Sequence, residues 1–119
     1  MNQQQLGQVG EELAAEHLLN SGYDILEKNY SWKKGELDLI CKKNKLLVIV
    51  EVKTRQTAIF GEPYQAVSRK KQQQIIKVAN AFITQRNIDL EVRFDVISIV
   101  INSHRKNVEH IENAFIPLV

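Results

Sequence analysis

The spacing of apolar side chains alone divides the chain into two helical and five extended segments. Over residues 3–20, Leu6, Gly10, Leu13, Ala14 and Leu18 recur at the interval of one helix face, and Gly22 just beyond suits a helix C-terminus. Tyr23 to Tyr30 reads as a first strand. Gly35 breaks the chain before a second, Glu36 to Lys42, and the polar Lys43-Asn44-Lys45 predicts a tight turn into a third, Leu46 to Thr54. Residues 56–67 have no period and are punctuated by Gly61 and Pro63. Ser68 suits the N-cap of a helix reaching about Arg86, with Ile75, Ile76, Ala79, Phe82 and Ile83 as its apolar stripe. Glu91 to Ile101 is rich in β-branched residues and predicts a fourth strand; Val108 to Ile116 predicts a weaker fifth at a sheet edge. No repeat, low-complexity tract or linker interrupts residues 1–119, so a single domain is expected. The order α-β-β-β-α-β-β predicts an α/β fold, a mixed central sheet flanked by helices.

One strand breaks its own pattern. In LLVIVEVKTR, Leu46, Val48, Val50 and Val52 point to one face and Leu47, Ile49, Glu51, Lys53 and Arg55 to the other. Both faces are apolar over 46–50, so the strand is expected to be covered on both sides, yet it carries an acid and a base. On the preceding strand, Glu36, Asp38 and Ile40 share a face by the same alternation. A two-residue turn at Asn44-Lys45 sets Asp38 opposite Glu51, with side chains ~5 Å apart; a slip of one residue would separate them. Paired carboxylates repel, and burial worsens the cost. Raising one pKa, pairing with Lys53 or binding a hard divalent cation would each relieve it. Spacing leaves open both a structural Asp–Lys–Glu ion-pair cluster and a metal site. Glu11 shares a helical stripe with Ala14, Ala15 and Leu18, at the edge of the apolar face. Gly7, Gly10 and Ala14 would let that helix approach the sheet, bringing Glu11 toward the site; an ordinary boundary glutamate is the alternative.

Composition changes this picture little. The 119 residues suffice for one core, and the net charge of +2 is too small to argue for nucleic acid. Basic clusters at Lys33-Lys34, Lys42-Lys43-Lys45, Arg69-Lys70-Lys71 and Arg105-Lys106 are ordinary solvated surface unless the fold gathers several beside one site. No apolar run approaches the ~20 residues of a membrane span, and the polar N-terminus lacks a signal-peptide layout. Cys41 stands alone and no Cys/His set has zinc-site spacing, so a reduced, cytoplasmic setting is expected. His17, His104 and His110 are scattered and read as structural or surface residues. Ser68 and Ser98 have no evident partners for a hydrolase triad. Tyr30 and Trp32, beside Lys33-Lys34, read as packing at the hairpin entrance, with base stacking as the alternative.

The pair GELDLI (35–40) and VEVKTR (50–55), preceded by VGEELAAEHL and NY and followed by AVSRKK and RFDVISI, resembles the YraN family of bacterial proteins (UPF0102), from Gly10 to about Val100. That family is similar to the PD-(D/E)xK nucleases, and within them to archaeal Holliday-junction resolvases. The resemblance implies a restriction-endonuclease-like fold in which Asp38 matches the motif aspartate, Glu51 its second acid and Lys53 its lysine. Glu11 matches the acid such resolvases carry on the first helix, and Leu37 stands where the motif's name has proline. It further implies Mg²⁺- or Mn²⁺-assisted phosphodiester hydrolysis, with Asp38, Glu51 and Glu11 as metal ligands and Lys53 orienting water or neutralising transition-state charge. Glu36 would support Asp38, and Arg55, Lys70, Lys71, Lys33 and Lys34 would anchor phosphates. The expected partner is nucleic acid, DNA before RNA, branched DNA among the candidates, with a homodimer by analogy. A non-catalytic nucleic-acid-binding or scaffold module that keeps the fold is the alternative.

Overall fold

Leu46–Arg55, the strand that breaks its pattern, lies at the centre of the sheet. The computed structural model describes residues 1–57 and 67–117. Among them are α1 (Gln3–Asn20), β1 (Asp24–Trp32), β2 (Gly35–Lys43), β3 (Leu46–Arg55), α2 (Arg69–Arg86), β4 (Glu91–Ile101) and β5 (Lys106–Phe115). The expected turn at Gly61 and Pro63 lies outside the described residues. The strands form one sheet in the order β1-β2-β3-β4-β5. All neighbours are antiparallel except β3 and β4, which run parallel and are joined through α2. The α/β class, the element order and the edge position of β5 are as predicted.

Local signals set the helix ends. Asn2 and Gln5 form a reciprocal capping box at the start of α1, with the Gln5 N–H donating to Asn2 Oδ1 at 2.8 Å and the Asn2 N–H to Gln5 Oε1 at 3.0 Å. Ser68 Oγ accepts the Lys71 N–H at 3.1 Å at the start of α2, and Asn87 ends that helix in the left-handed conformation with φ 50°.

The sheet is covered on both faces. Ile75, Val78, Ala79 and Phe82 of α2 pack with Leu47, Ile49, Phe94 and Val96. Ala14 and Leu18 of α1 pack with Cys41, Val48, Val50, Ile97 and Ile99. β3 therefore alternates as expected, odd residues toward α2 and even ones toward α1, and Glu51 and Lys53 project to the α2 side. Gly10 makes the α1 contact close: a Cβ there would run into the Thr54 side chain, with Thr54 Cβ only 2.7 Å away. Gly7 faces open space and has no such role.

Strand β2 does not alternate throughout. Leu37 belongs to the α2-side layer and a Cβ on Gly35 would meet Val78, whereas Leu39 and Cys41 belong to the α1-side layer. Glu36 and Ile40 thus lie on opposite faces, correcting the strict period-two reading. The switch occurs at Asp38. Register pairs Lys28 with Leu39 and Tyr30 with Leu37, so Asn29 stands opposite Asp38. Asn29 has φ 52°, a left-handed conformation that asparagine tolerates better than most residues and that turns β1 over at the same level.

A second polar cluster ties α1 to the other half of the sheet. Asp95 is fully buried. It accepts from Arg93 Nε at 2.9 Å and Nη2 at 2.8 Å, from the Asn113 N–H at 2.9 Å and from His110 Nε2 at 2.8 Å. His17 Nε2 lies 3.1 Å from His110 Nδ1, and Arg93 Nη2 donates to Tyr23 Oη at 2.6 Å. Burial would raise the Asp95 pKa, but the hydrogen bonds from His110, Arg93 and Asn113 outweigh it and hold the carboxyl below its usual range. His17 and His110, scattered in sequence, are partners in space.

Candidate functional site

The β2–β3 register keeps a constant offset from Lys43–Leu46 at the turn to Leu39–Val50, and continuing it sets Asp38 opposite Glu51. This is the register a two-residue turn at Asn44-Lys45 predicts. The backbone ladder stops at Leu39–Val50, and the next donor, the Val52 N–H, is taken by Asp38 Oδ2 at 2.8 Å. The Asp38 side chain is therefore held edge-on between the two strands, and it can be approached from both faces of the sheet.

On the α2 side stands Glu51, buried at 7% exposure. Burial, then the charge of Asp38 and a hydrogen bond shared with it, push the Glu51 carboxyl up to about 8; Lys71 and Lys53 only partly offset this. Among the described residues neither Asp38 nor Glu51 has an ion-pair partner. Lys53, on the same face and half-buried, thus stands near the carboxylates without neutralising them. The structural ion-pair cluster, one of the two readings the spacing left open, is absent from the described residues.

On the α1 side stands Glu11, brought in by the close crossing of Gly10 over Thr54. With its amide turned to satisfy both neighbours, Asn29 Nδ2 donates to Glu11 Oε1 and to Glu36 Oε1, each at 3.2 Å. Burial, then the charge of Asp38, raises the Glu11 pKa, and the Asn29 hydrogen bond lowers it. Glu11 and Glu36 therefore meet through Asn29, and Asp38 is the member both halves of the site share. In the sequence Asn29 stands out only as part of the NY that precedes GELDLI, with no role attached to it; its physical signal is a residue of poor strand propensity inside a strand.

The donors are suited to a hard divalent cation: two carboxylates side by side, all oxygen, with the buried one in want of positive charge. Among the described residues no three His, Cys, Asp or Glu side chains are grouped so as to hold an ion on their own. A cation at Asp38 and Glu51 would complete its shell with main-chain carbonyl or water oxygens, as Mg²⁺ ordinarily does.

The basic residues divide. Lys33 and Lys34 at the β1–β2 turn and Lys70 and Lys71 on α2 line one groove on the α2 side. Lys71 also acts on Glu51, so this groove adjoins the acid pair. Arg55, exposed at the end of β3, is not among the groove's lining residues. Lys43 is elsewhere, donating to the Ser21 carbonyl at 3.0 Å and lying over the Tyr23 ring. No helix among the described residues is long and apolar enough to cross a membrane.

The family profile described as "Uncharacterised protein family UPF0102" matches residues 10–99, a span that takes in Glu11, Asn29, Glu36, Asp38, Glu51, Lys53 and the groove. A UPF0102 protein of Caldanaerobacter subterraneus is 44% identical over 119 residues, covering 97% of this chain and 98% of that protein. One from Thermodesulfovibrio yellowstonii is 46% identical over 111 residues, 93% of this chain and 96% of the relative. Another, from Christiangramia forsetii, is 45% identical over 111 residues and 93% of each chain. With the profile and full-length relatives in agreement, the chain belongs to the UPF0102 family.

Proposed function

We propose that the protein is a divalent-metal-dependent endonuclease that hydrolyses nucleic-acid phosphodiesters. The observation that carries this reading is the Asp38–Glu51 pair: two adjoining carboxylates, one buried, without an ion-pair partner among the described residues, with Lys71 of a lysine-lined groove near enough for its charge to act on Glu51. Such a pair is costly unless a cation or a proton relieves it. Asp38 and Glu51 would hold Mg²⁺ or Mn²⁺, which when bound supplies Lewis-acid polarisation of the phosphate and acidification of a water. Lys53, on the Glu51 face, orients the attacking water or neutralises the charge that builds on the pentacoordinate phosphorus. Water adds to phosphorus as the bridging P–O bond breaks, leaving a phosphate monoester and a hydroxyl. Glu11 and Glu36 add negative charge on the α1 side of Asp38, which favours cation capture there, and Asn29 fixes their positions. Lys33, Lys34, Lys70 and Lys71 contact the backbone phosphates, and Arg55 extends that contact beyond β3.

One observation favours a second reading, a nucleic-acid-binding module without catalysis: no three-donor metal set exists among the described residues. Calorimetry of Mn²⁺ against wild type and Asp38→Ala separates the two. Binding that disappears in the variant supports the nuclease; no Asp38-dependent binding leaves the binding module. Branched, flapped and linear DNA, and RNA, incubated with Mg²⁺ or Mn²⁺ should be cut, with Lys53→Ala about 10²–10³-fold slower, the scale of losing one transition-state donor. Equal cutting by wild type and Lys53→Ala would remove Lys53 from the reaction.

A further inference from the structure

We propose that the groove between the β1–β2 turn and α2 binds an unpaired nucleic-acid strand, with Trp32 as the platform for a base and Lys77 joining the paired lysines as a phosphate contact. This rests on the nucleic-acid reading above and narrows it: the substrate presents a single-stranded stretch, the arm of a branched or flapped molecule, beside the bond to be cut.

The groove has a volume of about 930 Å³, and Trp32, Gln73, Gln74 and five lysines line it without one acidic side chain among the described residues. A net charge of +2 gives no reason for such a concentration; the fold assembles it from residues 33–34 and 70–77. Charge alone would suit any polyanion, duplex or single strand. The indole separates them. A duplex keeps its base faces stacked inside itself, whereas an unpaired base has a face free to lie on an aromatic ring. Trp32 is placed to offer one. It is anchored beside the α2-side core, yet it also lines a second, shallower groove with Lys77, Asn80 and Thr84, so open space adjoins it on two sides. The Lys33 ammonium lies over the indole, 4.6 Å from its centroid. A base stacking on that face displaces it, and the long lysine stem then holds a phosphate-binding cation within one nucleotide's reach of the platform. Gln73 adds an exposed amide suited to base edges, while Gln74 Nε2 donates to the Lys34 carbonyl at 3.3 Å and ties α2 to the β1–β2 turn. Lys71, at the wall of the groove, also acts on Glu51, so a strand lying along it would bring its backbone to the carboxylates.

Trp32 is the only tryptophan in the chain, so its emission reports this contact directly. Metal-free protein in EDTA is titrated with a twelve-base oligothymidylate, roughly the length of one single-strand site, with an abasic oligomer of equal phosphate count, and with a blunt duplex. The base-bearing single strand is expected to quench the emission and bind about 10-fold more tightly than either of the others, the scale of one stacked base. Lys77→Glu, an exposed position, should weaken it by about 10-fold or more with folding unchanged. Trp32→Phe, which lacks the emission and is followed by the anisotropy of a dye-labelled oligothymidylate, should bind within about 3-fold of wild type. Duplex or abasic oligomer binding as tightly as the base-bearing strand would overturn the proposal, as would Lys77→Glu leaving affinity unchanged. Because no divalent ion is present, the result is independent of cleavage. Single-strand binding without cutting under any condition would sink the nuclease reading and leave this one. Duplex cleavage without single-strand preference would do the reverse.

Discussion

Glu51 differs most from an ordinary glutamate in what surrounds it, and the difference has a sign that can be measured. Its carboxyl is raised from 4.5 to about 8, first by burial and then by Asp38. Between those values the folded protein holds a proton that the unfolded chain has released. Its contribution to stability is therefore fully present below about pH 4.5, falls as the pH rises, and is gone above about 8. Glutamine copies the neutral carboxyl at every pH. Glu51→Gln should lie within about 1 kcal/mol of wild type in urea unfolding near pH 5 and gain on it as the pH rises, by several kcal/mol (about 4 at most) at pH 8.5 in EDTA. Divalent metal should abolish that advantage, because the ion takes the proton's place in wild type and has only Asp38 in the variant. A stability difference that does not change with pH would mean that Glu51 titrates as an exposed glutamate does.

At the scale of elements, two contacts place α1, and they lie at different points along it. Near its middle Gly10 crosses β3 at Thr54, where any Cβ would collide with a β-branched side chain that cannot turn wholly out of the way. Gly10→Ala should cost ~1–3 kcal/mol by overpacking. By pushing the helix outward it should also weaken Mn²⁺ binding several-fold, although it removes no donor; unchanged stability and affinity would show that α1 is free to shift. Near its end His17 meets the Asp95 cluster. Asp95→Ala removes the acceptor shared by Arg93, His110 and the Asn113 N–H and leaves the half-buried Arg93 only one carboxylate, the exposed Glu112, 3.8 Å away. It should cost ~1–3 kcal/mol in denaturant unfolding at pH 7. Because the Asp95 pKa is depressed, that contribution is present at neutral pH and lost as the pH falls through the usual aspartate range and below; wild type and variant should converge in acid. These two contacts differ in how far the sequence disclosed them. Gly10 stood out because a small residue on a helix stripe implies a close approach, and the partner strand was already in view. The Asp95 cluster did not, because His17 and His110 are 93 positions apart, and it takes both the pairing of β4 with β5 and the packing of α1 on the sheet to bring them together.

Across the whole molecule the two faces of the sheet are specialised: the Asp95 network binds α1 to one, and Glu51, Lys53 and the lysine-lined groove occupy the other. Element order and the Asp38–Glu51 register were legible because alternation and a two-residue turn are local rules that residues 36–54 follow almost throughout. The face switch at Asn29 and Asp38 was not, since it depends on a side chain replacing a ladder partner, which no spacing encodes. Nor did the lysine clusters show which of them would converge; only the packing of α2 against the β1–β2 turn selects residues 33, 34, 70, 71 and 77 from among the others. That selection has a consequence in solution. Each lysine that neutralises a phosphate releases condensed counterion, so affinity for a single strand should fall with salt at a log–log slope of roughly −0.7 per contact. Three to five engaged lysines give a slope of about −2 to −3.5. Neutralising Lys77 with alanine should make it shallower by about 0.7, the share of one contact. Neutralising Lys43, which is tied to Ser21 and Tyr23 away from the groove, should leave it unaltered. Fluorescence titrations of the oligothymidylate from 50 to 300 mM KCl (roughly the range over which such slopes are read) measure all three. Equal slopes for wild type and Lys77→Ala, or a loss on Lys43→Ala matching that on Lys77→Ala, would show that affinity comes from diffuse surface charge and not from the groove.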